Sequence, residues 1–257
     1  MVGQISTKQY WNLVKELTIS DFKLKYQGSA LGYVWSLLKP LLLFGVLYVV
    51  FSIFLRFDVE HYNLYLLLGI ILWGYFSEGT TNAVGNIVGK SGLISRVNFP
   101  RSIIVIASTL TSLLTLLLNL LVFVVFFIFS GATVAPSVLL FVIFLVELYL
   151  ITLGIGYLIS ALNIKFRDLS HIWEILLQVG FWATPIIYAV DMIPLKYHFW
   201  LFMNPMTRII QYSRDVIIYG MMPDLKGVIA SVFMAVAIFV AGYLVFKKRE
   251  PYFAEDL

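Results

Sequence analysis

Two carboxylates stand inside otherwise apolar stretches of this 257-residue chain, Glu78 and Glu147. An ionised carboxylate facing hydrocarbon is expensive, so each must carry protons, pair with a cation, or sit neutral and hydrogen-bonded. Proton-coupled transport uses such groups together with a partner base or a pair of broken helices near the membrane midplane. The sequence offers no convincing set of either, and hydrogen-bonded carboxylates facing neighbouring helices are the favoured reading. Gly85-Asn-Ile-Val-Gly89-Lys90-Ser91 has the outline of a phosphate loop. It separates its glycines by three residues where the nucleotide-binding pattern needs four, and no buried strand precedes it. The chain is therefore expected to carry no ATPase site of its own. It has no cysteine, which excludes disulfides, thiolate nucleophiles and cysteine-bound zinc, and its three histidines (His61, His171, His198) are scattered. Asp191, Arg208, Arg214 and Asp215 are polar groups without the spacing of a triad or a carboxylate pair. No catalytic residue and no metal site is expected, which disfavours a membrane enzyme such as a glycan-modifying transferase.

The elements that must position these groups are helices in a bilayer. Hydrophobic residues make up 61% of the chain and charged residues 12%, against about 25% charged in soluble proteins. A bilayer core of about 30 Å needs some 20 apolar residues per helix, and six runs qualify. They are Val34–Leu55, Leu64–Val84, Ser102–Phe129, Ser137–Leu162, Ile172–Val190 and Gly227–Phe246. Gly154, Gly156, Ser160 and Ala161 give the fourth run a small-residue face for close helix contact. The expected fold is an all-α integral membrane protein. Residues 1–33 form its N-terminal part, 34–246 a single six-helix transmembrane domain, and 247–257 a tail.

Within the N-terminal part, Tyr10, Leu13, Val14, Leu17 and Leu24 share one arc of a helical wheel, with Lys15, Glu16 and Lys23 opposite. That pattern predicts an amphipathic helix lying along the membrane surface, although Asp21 and Lys25 interrupt its apolar stripe. Trp11, Leu17, Asp21, Lys23, Lys25 and Tyr26 are its candidate functional residues. No apolar stretch with a small-residue cleavage site opens the chain, so no removable signal peptide is expected. With the N-terminus inside, 13 of the 18 Lys and Arg fall on the cytoplasmic side, the exceptions being Arg56, Lys196, Arg208, Arg214 and Lys226. The positive-inside rule then places both termini in the cytoplasm. The net charge of +4 is read the same way and not as nucleic-acid binding. The segment 191–226 is broken by Pro194, Pro205 and Pro223 yet holds Phe199-Trp200-Leu201-Phe202-Met203. It predicts short external helices capping the bundle. Trp35, Trp73, Trp182 and Tyr188 are either interfacial-belt residues or rings lining a passage, where flat faces pack against sugars. Lys23, Lys25 and Lys39 form a positive collar that suits a phosphate head group and equally suits positive-inside anchoring.

Several local patterns then fall in a familiar order: Asp21–Tyr26 followed by Ser29-Ala-Leu-Gly32-Tyr-Val-Trp35 and Pro40; Asn86 with Gly92-Leu93-Ile94 and Val97-Asn98-Phe99-Pro100; Asn163-Ile-Lys-Phe-Arg167-Asp168-Leu; Thr184-Pro185-Ile-Ile-Tyr188; and Asn204-Pro205-Met206 with Arg214 after it. Over nearly its whole length the chain resembles the membrane subunits of ABC-2-type exporters, particularly those moving lipid-linked polysaccharide (O-antigen or capsule) or teichoic acid. The resemblance implies a homodimer in the bacterial cytoplasmic membrane, paired with two copies of a separate cytoplasmic ATPase that uses ATP and Mg. This chain itself would bind no cofactor. It implies contact with that ATPase through the interfacial helix and the loop 86–101, here Asn86, Lys90, Leu93, Arg96, Phe99, Pro100 and Arg101, with Arg167 and Asp168 nearby. Charge reversal at Arg96 is then expected to uncouple hydrolysis from transport. The resemblance also implies external gate helices, mapping to Pro194, Trp200, Asn204, Pro205, Arg208, Tyr212 and Arg214. The implied cargo is a lipid-linked glycan or polyol-phosphate polymer moving along the dimer axis among membrane lipids. An exporter of small hydrophobic compounds would share this topology, and a proton-coupled transporter remains the reading in which Glu147 matters.

Overall fold

The computed structural model describes residues 6–97 and 99–253, apart from the side chains of Ile94, Ser95 and Arg96. Among these residues every regular element is helical. Helix α1 (Thr7–Tyr26) begins with a capping box, in which Ser6 and Gln9 each accept the other's backbone N–H. It ends in a link that turns at Gly28 and Gly32, both with positive φ (77° and 48°), where a side chain would be strained. Helix α2 (Val34–Tyr48) continues through a π-helical stretch, Val49–Phe54. Helix α3 (Tyr62–Gly89) and the short α4 (Ser91–Arg96) follow, then α5 (Ser102–Phe129). A 3₁₀ turn at Pro136–Leu140 leads into α6 (Phe141–Asn163), and α7 (Leu169–Ala183) comes next. Helices α8 (His198–Met203) and α9 (Pro205–Ile217) precede α10 (Leu225–Arg249), which ends in a 3₁₀ turn, Glu250–Tyr252.

Four of these segments are long and apolar enough to cross a membrane: Val34–Phe54, Ser102–Phe129, Pro136–Asn163 and Leu225–Tyr252. The first three end within a residue of the expected runs, and the fourth contains its run and extends beyond it. The other two expected runs differ. Helix α3 matches the others in length but carries Asn63, Glu78, Asn82 and Asn86, and it is the packed centre of the bundle, against α2, α5, α6, α7 and α9. Helix α7 stops at Ala183, seven residues before the expected end at Val190, because Pro185 cannot continue it. Its 15 residues reach about 22 Å, short of a bilayer core of about 30 Å.

The small-residue face on α6 does what its composition predicts. A Cβ on Gly154 would lie 2.6 Å from the Phe239 Cα, and one on Gly242 would run into the Gly154 carbonyl. The backbones of α6 and α10 therefore touch. Gly156 serves the other side, where a Cβ would meet Ala83 at 3.0 Å. About two turns earlier on α6, Glu147 is 2% exposed and accepts a 2.5 Å hydrogen bond from Ser231 of α10. It faces the bundle and binds two helices together. Apolar packing gathers in two clusters. The larger joins α3 to α5, α6, α7 and α9. The smaller joins α1, the start of α5, the end of α6 and the end of α10.

Candidate functional site

A cavity of about 850 Å³ opens between the end of α1 and helices α2, α3, α5 and α7. Its walls combine the rings of Trp35, Trp73, Phe181 and Trp182 with the amides of Asn82, Asn119 and Gln178 and several hydroxyls. Lys25, Lys39, Glu78 and Glu174 add charge of both signs. The buried Tyr26 and Tyr75 also stand on the lining. Flat ring faces beside amides, hydroxyls and isolated charges form a surface that can take a polyhydroxylated ligand, with rings against its faces and polar groups on its hydroxyls.

Helix α1 is packed against the bundle. It runs beside α5 for most of its length: Tyr10 shares a hydrogen bond with Ser102, Thr111 donates to the Thr18 carbonyl, and Lys25 donates to Thr115. Val14 and Thr18 are buried, whereas Leu24, expected on the apolar arc, is 61% exposed. The helix rolls so that Asp21 and Lys25 face the bundle in its place. Asp21 pairs with Lys90 at 2.6 Å and Lys25 with Glu78 at 2.7 Å. The two residues that interrupt the stripe thus fix α1 to α3 at two points. Burial works against the charge on Lys25, but the Glu78 carboxylate outweighs it and holds the ammonium's pKa above its ordinary value. Glu78 is thereby answered by a cation, and Lys25 of the collar is paired within the chain while still lining the cavity. Lys23 is exposed and Lys39 lines the cavity.

Beyond α7 the chain is irregular yet buried, so its backbone polar groups need partners. Four consecutive carbonyls find them in side chains. Arg214 donates to Pro185 O (2.6 Å) and Ile186 O (2.8 Å), Tyr62 to Ile187 O (2.9 Å), and Tyr65 to Tyr188 O (2.9 Å). Arg214 is fully buried, also donates to Tyr65 O, and stacks 3.3 Å from the Tyr65 ring centroid. Asn204 caps α9 through Met206 N and donates to Thr184. Arg208 donates to the Phe202 and Gly227 carbonyls and to the Tyr212 hydroxyl. Helix α9 is therefore docked onto α3 and α10, and α8 is tied to α9, by side-chain-to-carbonyl bonds.

At the opposite end, Asn86 donates to Ser108 (2.6 Å), Leu93 packs at the edge of the smaller cluster, and Phe99 is buried in it. The Arg101 backbone N–H donates to the Glu250 carboxylate. Val97, Lys165, Phe166, Arg167 and Asp168 are exposed. Asn98 and the side chain of Arg96 lie outside the described residues.

Of the four aromatic residues singled out in the sequence, the structure brings Trp35, Trp73 and Trp182 to the cavity, while Tyr188 lies outside it and donates to the Trp182 carbonyl. The residues singled out around α8 and α9 separate into two sets. Asn204, Arg208 and Arg214 bond to backbone groups and Tyr212 accepts from Arg208, with Pro205 opening α9, whereas Pro194 and Trp200 are exposed. Tyr62, Tyr65 and Gly69 of α3 were not singled out. A tyrosine near a span end reads as a belt residue, although the spacing 62, 65, 69 does put the three on one helix face. Phe181, Asn82 and Asn119 in the cavity likewise carry no local signal.

A family model described as ABC-2 type transporter matches residues 12–218. The O-antigen export system permease protein RfbA of Klebsiella pneumoniae is 30% identical over 248 residues, covering 96% of this chain and 95% of that protein. The protein of the same name from Myxococcus xanthus is 27% identical over 251 residues, 97% of this chain and 96% of its own length. The polysialic acid transport protein KpsM of Escherichia coli is 23% identical over 243 residues, covering 92% and 93%.

Proposed function

The chain belongs to the ABC-2 type transporter family, and from that premise we propose that it is the transmembrane subunit of an ATP-driven exporter moving a lipid-linked polysaccharide across a bacterial cytoplasmic membrane. End-to-end similarity to O-antigen export permeases carries this reading. The cavity supports it, because Trp35, Trp73 and Trp182 present ring faces beside Asn82 and Asn119, the surface a sugar chain requires. A teichoic-acid type of polymer, with polyol phosphates in place of sugars, would use the same polar groups and Lys39.

In this reading the subunit crosses the membrane six times, with α3 and the shorter α7 added to the four apolar spans, and both termini are cytoplasmic. Two copies pair around the path of the polymer and engage two copies of a separate ATPase, which binds ATP and Mg. Residues 86–101, at the α4 end of the bundle, receive the ATPase. Its closure pushes on the α3–α5 connection, and α1 follows because Asp21 and Lys25 fix it to α3. The cavity beside Lys25 then changes shape, admitting the lipid-linked end of the polymer, with Lys39 and Lys23 nearest a phosphate. Helices α8 and α9 act as the external gate, α9 being held by the Arg214 bonds to the Pro185 and Ile186 carbonyls and α8 by the Arg208 bond to the Phe202 carbonyl. Deleting the gene in its own host tests the function. Surface carbohydrate should fall while lipid-linked polymer accumulates inside, and an unchanged surface would sink the reading.

A further inference from the structure

The segment from Phe246 to Phe253 is built into the α4 end of the bundle more tightly than a tail needs to be. Phe246 is fully buried and Phe253 is 1% exposed, their rings edge to face at 5.2 Å in the cluster that also holds Phe99 and Val14. Between them, Glu250 is 8% exposed. Its carboxylate accepts from the Arg101 backbone N–H at 2.8 Å and from Lys247 at 2.9 Å, and its carbonyl accepts from the Arg101 guanidinium at 3.3 Å. Arg101 is the residue that opens α5. A carboxylate on that amide satisfies a donor left over at the helix start and sits favourably against the helix dipole. Phe99 is buried two residues earlier, while Val97 is half exposed. The loop between α3 and α5 therefore presents its outward face from a root that the far end of the chain clamps.

We infer that the C-terminal segment 246–253 is a positioning element for the coupling loop, and that Glu250 is the positioning residue that fixes the loop's root at Arg101. This rests on the assignment of residues 86–101 as the ATPase contact. A push delivered at Val97 reaches α5 only if the root does not yield. With the Arg101 amide released, part of each stroke is absorbed by rotation of the loop about Phe99.

The test uses the full chain with its ATPase, in the host for export and purified in vesicles of phosphatidylethanolamine and phosphatidylglycerol for ATP turnover. Glu250→Ala removes the carboxylate, Glu250→Gln keeps an acceptor for the Arg101 amide, and Val97→Asp perturbs the exposed part of the loop itself. Loss of one charge-assisted hydrogen bond predicts that Glu250→Ala lowers surface carbohydrate per ATP hydrolysed by about tenfold. Its membrane level and its co-purification with the ATPase should be kept, and the Arg101 amide should exchange faster with solvent. Glu250→Gln should stay within about twofold of the native protein. If Val97→Asp uncouples and Glu250→Ala does not, the positioning role is wrong and the loop assignment stands. If neither uncouples, the loop assignment falls and the inference with it. A loss of export that merely tracks loss of protein or of bound ATPase would show a structural role only, and would overturn the proposal.

Discussion

Replacing Gly69 with alanine adds one methyl group to the most crowded point on α3, and two arguments disagree about the sign of its effect. Helix propensity favours alanine over glycine in a helix interior by up to about 1 kcal/mol. Packing opposes it: the new Cβ would lie 2.5 Å from Nη2 of Arg214 and 3.2 Å from the Ile186 side chain. An ordinary contact is about 3.5 Å, so the guanidinium must retreat by roughly 1 Å. The plane that reaches the Pro185 and Ile186 carbonyls at 2.6 and 2.8 Å cannot keep both bonds after that move. Each bond from a charged donor contributes about 1.5–3 kcal/mol, and a buried acceptor left bare adds to the loss. Against the propensity gain, the net expectation is destabilisation by about 2–4 kcal/mol. The apparent melting temperature of the purified protein should then fall by roughly 5–10 °C. Amides of α9 should exchange faster, with those of α1 unaffected. A melting temperature equal to or above that of the native protein would mean that Arg214 does not carry the load assigned to it.

Other expectations are simpler. Lys25→Gln and Glu78→Gln should each weaken the attachment of α1, and the double variant should lose less than their sum. The coupling read from a double-mutant cycle in chemical denaturation should be about 0.5–1 kcal/mol because the pair is partly exposed, and zero coupling would remove the latch. Since the Lys25 pKa is raised by Glu78, this contribution is complete below the lysine's unfolded value of 10.5 and lost only as pH climbs above the folded value; loosening of α1 at neutral pH, seen by proteolysis, would contradict it. Glu147→Gln should keep the hydrogen bond from Ser231 and retain at least about half of the export activity, whereas abolished export with normal expression would favour proton coupling. Gly242→Leu forces a side chain into the Gly154 carbonyl and should cost at least about 3 kcal/mol, read as loss of folded protein after solubilisation. Normal yield would show that α6 and α10 do not touch there.

Much of the helix content was legible because the spans are apolar runs bounded by polar turns, and the ends of α5 and α6 fall close to the runs that predict them. A close contact on α6 was legible for a related reason, since small residues a turn apart have few other uses in a membrane, but not that its partner is α10. The attachment of α1 was not. Asp21 and Lys25 look like flaws in an amphipathic stripe, and only the presence of Lys90 and Glu78 opposite turns them into anchors. That is information about pairs distant in sequence, and a helical wheel holds none of it. The end of α7 is not legible, because apolar residues run on through Ile186 and Ile187. Pro185 stops the helix, and the stretch stays buried on hydrogen bonds supplied by Tyr62, Tyr65 and Arg214. The cavity was legible only as a supply of tryptophans, since three helices must meet before Trp35, Trp73 and Trp182 share a wall.

Helix α3 carries Lys90 just past one end and Tyr62, Tyr65 and Gly69 at the other, with Glu78 between. Its 28 residues make it a ruler as well as a packing element. Each residue added to a helix turns the rest of that helix by about 100° and advances it by 1.5 Å. A single insertion between Gly69 and Glu78 would leave either the ion pairs or the carbonyl contacts in register, but never both. An insertion of four residues, about one turn, would nearly restore the angle while separating the two ends by a further ~6 Å. The middle of α3 should therefore tolerate changes of residue type far better than changes of length.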